Sequence, residues 1–167
     1  MQDRQCLSKV LPGTWLLESR IDVTGSGQRH PDPLLGEEPI ALLIYDKAGH
    51  FSAQFMKRDR STLAQEAPSS TKNNTQAQGG YDAYFGTYSV DDAKNTVTQQ
   101  LMGALSQGNV GMVLTRAIDV RGNTLVIQLD TTAADGTPVL VPSRRDALAP
   151  RTSQRFNCKT SFRFLAA

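Results

Sequence analysis

The sequence contains few of the residues that build disulfide frameworks, metal sites or membrane spans. Its 167 residues include two cysteines, two histidines and one tryptophan. The longest unbroken apolar run, Ile40–Tyr45, is far shorter than the roughly 20 residues that a transmembrane helix needs. Neither His30 nor His50 has cysteines or carboxylates at metal-ligand spacing. These shortages predict a chain without a membrane-spanning helix, without a metal site and without membranes as a partner.

Charge and motifs exclude further classes of function. The 18 basic and 16 acidic residues are interspersed, with a net charge of +2, so nucleic acid is not an expected partner. The sequence has no paired-carboxylate motif, no glycine-rich phosphate loop and no G-x-S-x-G motif, which predicts chemistry without a cofactor or covalent nucleophile. Residues 1–10 lack the continuous apolar stretch of a secretory signal, which predicts an intracellular, cytoplasmic protein.

Alternation of apolar and polar residues is the dominant pattern along the chain. The first predicted strand, Gly13–Val23, would bury Trp15 with its other apolar residues and expose Glu18, Arg20 and Asp22. Seven further strands are predicted at residues 40–45, 51–57, 83–90, 96–102, 110–120, 124–131 and 156–165. The long polar connection at 58–80 is predicted to carry a short helix near its end.

Short strands at regular spacing, without long apolar helices between them, predict an all-β fold. We expect one domain over residues 1–167, an antiparallel sandwich or barrel of about eight strands. A barrel that closes its first strand against its last could bring Cys6 near Cys158. Two unpaired thiols are nevertheless the expectation for an intracellular protein.

Four blocks of sequence carry a resemblance to a known family. They are G-T-W at 13–15, L-I-Y at 43–45 followed by Gly49, Ser52, Gln54 and Met56, A-Y-F-G-T-Y at 83–88, and G-A-L at 103–105 followed by V-G at 110–111. In this order and spacing they resemble the bacterial and fungal lipocalin-like domain family over roughly residues 13–129. The resemblance implies a lipocalin-like, calycin-type antiparallel β-barrel with a central cavity. It also implies that Trp15 plugs the closed end of the barrel, with Arg163 stacked on it.

Some members of that family lie among genes of secondary metabolism. The resemblance therefore implies a polyketide-like or other small apolar molecule as the partner. Where the family pattern has a histidine pair, this chain has Gln99 and Gln100, so acid/base chemistry by those histidines is not expected here. Gln54 points outward by periodicity, and only the resemblance nominates it as a ligand contact.

Polar residues on otherwise apolar strand faces are the remaining candidates for a site. Gln99 and Arg116 each share a strand face with apolar residues, and Tyr84 and Tyr88 share a face with Gly86 between them. We expect Gly86 to leave space there for a ligand or a neighbouring chain. The predicted catalytic residues are Arg116, Tyr84 and Tyr88, and the predicted ligand-binding residues are Tyr45, Gln54 and Gln99.

Three functions are compatible with such a barrel. The first is a cofactor-free cyclase, isomerase or dehydratase, in which a tyrosine would transfer a proton if Arg116 lowered its pKa. The second is a carrier or sensor that uses the same cavity without catalysis. The third is a structural module filled by its own side chains, in which a buried arginine and a tyrosine pair are packing partners. The sequence does not indicate the oligomeric state.

Overall fold

The computed structural model describes residues 6–23, 28–32, 34–36, 38–61, 77–130 and 159–167. These ranges contain one short α-helix, α1 (Leu7–Val10), and one 3-10 turn, Gln107–Asn109. The described strands are β1 (Gly13–Val23), β2 (Arg29–His30), β3 (Ile40–Tyr45), β4 (His50–Met56), β5 (Tyr81–Asp91), β6 (Thr96–Ala104), β7 (Val113–Arg121), β8 (Thr124–Asp130) and β9 (Lys159–Ala166). No helix among the described residues has the length and apolar character needed to cross a bilayer.

Eight of the strands form a closed antiparallel barrel. The order is β1-β3-β4-β5-β6-β7-β8-β9, and β9 pairs back onto β1 from Trp15↔Ala166 to Val23↔Lys159. The two-residue strand β2 pairs with the end of β1 at Asp22 and Val23. The predicted all-β barrel of about eight strands is therefore confirmed. A short helix was predicted near the end of 58–80. Residues 62–76 lie outside the described residues, and residues 77–80 form a bridge and a turn without a helix.

Burial alternates along most strands, because successive side chains of a strand point to opposite faces. In β7, Leu114, Arg116 and Ile118 are buried, and the residues between them are exposed. In β9, Phe162 and Phe164 are buried and Arg163 is exposed. The hydrophobic effect thus selects one face of each strand for the interior, and the few polar residues on that face enter the interior with it.

The second half of β1 does not follow the predicted alternation. Its pairing with β9 shifts by one residue between Leu17 and Ser19, which is the geometry of a β-bulge around Glu18. After the bulge, Ser19 is exposed, whereas the side chains of Arg20 and Asp22 are 4% and 6% exposed. The prediction that Arg20 and Asp22 face solvent is wrong, because one extra residue exchanges the two faces of the strand.

The segment before β1 covers one end of the barrel. Leu7 and Leu11 are buried there, and the Trp15 indole Nε1 donates a hydrogen bond of 2.9 Å to the carbonyl oxygen of Leu11. The predicted burial of Trp15 is confirmed. The predicted stacking of Arg163 on Trp15 is wrong, because alternation in β9 turns Arg163 outward, where its Nε lies 2.6 Å from the Glu18 carboxylate.

A buried ion cluster lies near the end of the barrel away from α1. The Arg20 guanidinium pairs with the carboxylates of Asp22 and Asp32, and its central carbon lies 4.9 Å from the Phe162 ring centroid. The second oxygen of Asp32 accepts hydrogen bonds from the backbone amides of Leu34 and Leu35. Asp32 thereby holds the segment that carries these two leucines, whose side chains are buried.

Candidate functional site

Besides Arg20, Asp22 and Asp82, the described barrel strands bury four further polar side chains. Tyr45 comes from β3, Tyr84 from β5, Gln99 from β6 and Arg116 from β7, and each is less than a tenth exposed. Each occupies an inward position of its strand, so the alternation that builds the core also brings them inside. Tyr84, Gln99 and Arg116 line one common cavity, and Gln99 contacts Tyr45.

The cavity lies among aromatic and aliphatic side chains of the barrel interior. Besides the three polar residues, it is lined by Leu43, Phe55, Ile127, Leu129, Phe162 and Phe164. The space open to the centre of a water molecule measures about 20 Å³, which accommodates roughly one water. The predicted central cavity is therefore present, and within the described residues it has the volume of a single small polar group.

The amide of Gln99 is only half satisfied. Its Nε2 donates a hydrogen bond of 2.8 Å to the Tyr45 hydroxyl oxygen. Its Oε1 is buried and has no hydrogen-bond partner among the described residues. Most buried polar atoms in proteins have a partner, because an unpaired acceptor loses its hydrogen bonds to water without replacing them. Gln99 thus presents an unused acceptor in an interior that is otherwise mainly apolar.

Burial determines the acidity of Tyr45. Removal from water raises the pKa of its hydroxyl well above the usual value, and the neighbouring Tyr84 raises it further. The Arg116 charge and the Gln99 hydrogen bond lower the pKa, but they do not overcome burial. A lowered pKa was the condition for proton transfer by a tyrosine beside Arg116, and Tyr45 does not meet it.

Tyr88 lies apart from the residues that line the cavity. Its hydroxyl donates a hydrogen bond of 2.6 Å to the backbone carbonyl of Asp46, and its ring packs edge-on against Tyr45 with centroids 4.8 Å apart. Partial burial, followed by the nearby Asp46 charge, raises the pKa of Tyr88 as well. This predicted catalytic residue therefore packs between the β3–β4 turn and the interior.

The space expected beside Gly86 belongs to a neighbouring strand. A Cβ atom on Gly86 would lie 1.9 Å from the carbonyl oxygen of Gln100 in β6. The pairing of β5 with β6 shifts between Phe85 and Gly86, which brings the two backbones close together. Gly86 therefore permits this close approach of two strands, and the expectation of ligand space beside it is wrong.

Gln54 lies on the outer face of β4, in agreement with its periodicity. Its side chain is exposed, and its Oε1 accepts a hydrogen bond of 3.0 Å from the Tyr81 hydroxyl. The structure does not bring it to the interior cluster. Among the described residues, no group of three or more histidine, cysteine, aspartate or glutamate side chains is arranged to hold a metal ion. Cys6 is exposed, and Cys158 lies outside the described residues.

Sequence reasoning missed two features near the site. The aromatic residues Phe55, Phe162 and Phe164 form much of the cavity wall, and the alternation of Phe162 and Phe164 in the last strand could have indicated this. The buried Arg20 beside Phe162 had no such signal, since its inward position depends on the bulge in β1.

The comparison with protein families agrees with this architecture. The model of the lipocalin-like domain family matches residues 12–138, which is most of the chain. No curated protein matches the sequence. Among solved structures, a redesigned β-barrel is similar at 12% identity and a TM-score of 0.42, covering 97% of this chain and 96% of that chain.

Proposed function

Because the chain belongs to the lipocalin-like domain family, whose barrel suggests small-molecule binding, we propose that it binds a small, largely apolar molecule inside the barrel. The observation that supports this is the unused Gln99 Oε1 beside Arg116 on the wall of an interior cavity. Aromatic and aliphatic residues make up the rest of that wall, which suits a ligand with one polar group on an apolar body.

A barrel filled only for stability would have a different interior. Burying an amide is costly unless its hydrogen bonds are replaced, and Gln99 Oε1 has no partner among the described residues. An apolar residue in that position avoids the cost. Local departures from optimal packing occur mainly at functional sites. The interior polar cluster therefore favours ligand binding over a purely structural module.

The small volume of the cavity indicates how a ligand would lie. As bounded by the described residues, the space beside Gln99 and Arg116 admits a polar group the size of one water without rearrangement. The apolar body of the ligand would extend past Phe55 and Phe162, and those side chains would move to admit it. We expect access from the end away from α1, where the buried Leu34 and Leu35 are held by Asp32.

Catalysis is a second and finer proposal for the same cavity. A cofactor-free cyclisation, isomerisation or dehydration in secondary-metabolite biosynthesis would use Arg116 to stabilise a developing oxyanion, and the barrel to position the substrate. Such a reaction also needs a proton donor or base. The raised pKa of Tyr45 favours a neutral hydroxyl that positions Gln99. Binding, as in a carrier or sensor, is therefore the function that the geometry supports best.

The Arg116→Leu variant tests the proposal with an anionic apolar dye, anilinonaphthalene sulfonate, as the probe. We expect the variant to fold and its dye affinity to fall by about 1.5–3 kcal/mol, the usual contribution of a charged hydrogen bond, or roughly tenfold to 150-fold. Fluorescence titration measures the affinity, and thermal melting reports the fold. Arg121→Leu is the matched control, since Arg121 belongs to the same strand and is exposed.

Two results would contradict this proposal. One is a wild-type protein that does not bind the dye. The other is an Arg116→Leu variant that melts at a much lower temperature while its folded fraction keeps the wild-type affinity. The second result would assign Arg116 to the structure of the barrel, because a lost structural partner destabilises the fold without changing a binding site.

A further inference from the structure

The interior cavity carries an inference about the chemical class of the ligand, which rests on the proposed binding function. We propose that the bound molecule carries a hydroxyl group on an aromatic body, as a phenol does, and that this hydroxyl donates to Gln99 Oε1 and accepts from Arg116. The inference depends on the direction of the Gln99 amide, the volume of the cavity and the composition of its wall.

Close packing holds the Gln99 side chain in place, with its Nε2 placed toward the Tyr45 hydroxyl. The side chain is 2% exposed and lies between the inward positions of Val97 and Leu101, both fully buried. Its Nε2 is held by the Tyr45 hydroxyl at 2.8 Å, and the Tyr45 ring is itself packed against Tyr88 and Phe51. With Nε2 engaged in this way, Oε1 is the amide atom available to a molecule in the cavity.

An amide oxygen accepts hydrogen bonds and donates none, so it selects for a donor. A ketone, an ether or an ionised carboxylate has no hydrogen to offer to Gln99 Oε1. A guanidinium has the opposite character, because it donates and cannot accept. A hydroxyl serves both neighbours at once, since it has one hydrogen to donate and two lone pairs that accept.

The volume and the wall of the cavity fit the same group. A hydroxyl oxygen is the size of a water molecule, and the cavity accommodates about one water. Around it, the rings of Phe55 and Tyr84 lie nearly parallel with centroids 6.2 Å apart, and the rings of Phe55 and Phe162 lie 5.6 Å apart. Aromatic side chains pack favourably against further rings, so the wall favours an aromatic body over an alkyl chain.

Three matched probes test the inference, namely 2-naphthol, 2-methoxynaphthalene and 2-methylnaphthalene. They share one ring system and differ in offering a donor, only an acceptor, or neither. We expect the wild-type protein to bind 2-naphthol at least tenfold more tightly than the other two in fluorescence or calorimetric titrations. In Gln99→Leu this preference should disappear, while Gln100→Leu, a change at the neighbouring exposed position of β6, should retain it.

The wild-type comparison is decisive even if Gln99→Leu does not fold, and Gln99→Met provides a second variant of similar shape. Equal affinity for the three probes, or a preference for the methoxy compound, overturns the hydroxyl inference and leaves the binding function standing. The inference is also overturned if the dye binds and none of the three probes does, since the site then accepts an anionic group and not a hydroxyl. If neither the dye nor any naphthalene binds, the proposed function fails as well.

Discussion

The hydroxyl of Tyr45 links the stability of the protein to pH. Because folding raises its pKa above the usual value of about 10, the folded protein holds this proton more tightly than the unfolded chain does. The Tyr45 contribution to the free energy of unfolding is therefore fully present below about pH 10 and is lost as the pH rises further. We expect a decline that approaches about 1.4 kcal/mol per pH unit above about pH 10, measured by urea denaturation between about pH 10 and about pH 12, with about pH 9 as the unaffected reference.

Tyr45→Phe separates this contribution from that of other titrating groups, because it removes the hydroxyl and keeps the ring. The variant should lose stability near neutral pH, by about 1–3 kcal/mol, since Gln99 Nε2 then has no acceptor. Its stability should also fall less steeply than that of the wild type above about pH 10. Parallel curves for the two proteins would show that burial does not hold the Tyr45 proton.

Trp15 is the single tryptophan of the chain, so its fluorescence reports one position. Because it is buried and bonded to the Leu11 carbonyl, we expect blue-shifted emission that iodide does not quench. Leu11→Ala should shift the emission to the red by opening the packing beneath the indole. Arg163→Ala should leave it unchanged, because Arg163 is 54% exposed on the outer face. A change in emission in Arg163→Ala would instead support the predicted contact between Arg163 and Trp15.

At the scale of single strands, the bulge in β1 separates two kinds of ion pair. Arg163 and Glu18 form an exposed pair on the outer face, and such pairs contribute only about 0–1 kcal/mol. Arg20, Asp22 and Asp32 form a buried cluster, where the loss of one partner costs about 3–5 kcal/mol because the remaining charges stay out of water. The extra residue in β1 thereby determines which charged side chains are buried.

The close approach of β5 and β6 depends on Gly86. Gly86→Ala would place a Cβ atom 1.9 Å from a backbone oxygen, and backbone cannot move aside as a flexible side chain can. We expect a loss of about 3 kcal/mol or more in the free energy of unfolding. Gly108→Ala, where nothing lies within 4 Å of the new atom, should change it by less than about 0.5 kcal/mol. Denaturant unfolding compares the two, and equal effects would exclude a close approach at Gly86.

At the scale of the whole molecule, the sequence correctly predicted the features that depend only on alternation within one strand. Each strand needs only its own period of two, so all eight barrel strands were predicted within a few residues, and Arg116 was assigned to the inward face of β7. The features that were missed depend on pairs of distant strands. The bulge at Glu18 is defined against β9, and the filled space at Gly86 is defined against β6.

The same distinction applies to the candidate site. Alternation placed Gln99 on an inward face, and the structure also brings Tyr45, Tyr84 and Arg116 inside. The pattern could not reveal that Gln99 Nε2 donates a hydrogen bond to Tyr45. It also could not reveal that the space beside Gln99 has the volume of one water. Both features depend on packing across the barrel. Gln54 was nominated as a ligand contact by the family resemblance alone. The alternation of its strand predicted the outward position that the structure shows.

The seam between β1 and β9 also determines how the barrel responds to a mechanical load. The two strands are antiparallel, and Trp15 at the start of β1 lies beside Ala166 at the end of β9, next to a backbone bond from Ala167 to Thr14. A force that pulls these two ends apart loads the terminal pair, Trp15 and Ala166, first and then each successive pair along the seam. The hydrogen bonds of the seam would therefore break one after another, as in a zipper, at a lower force than if they were sheared together.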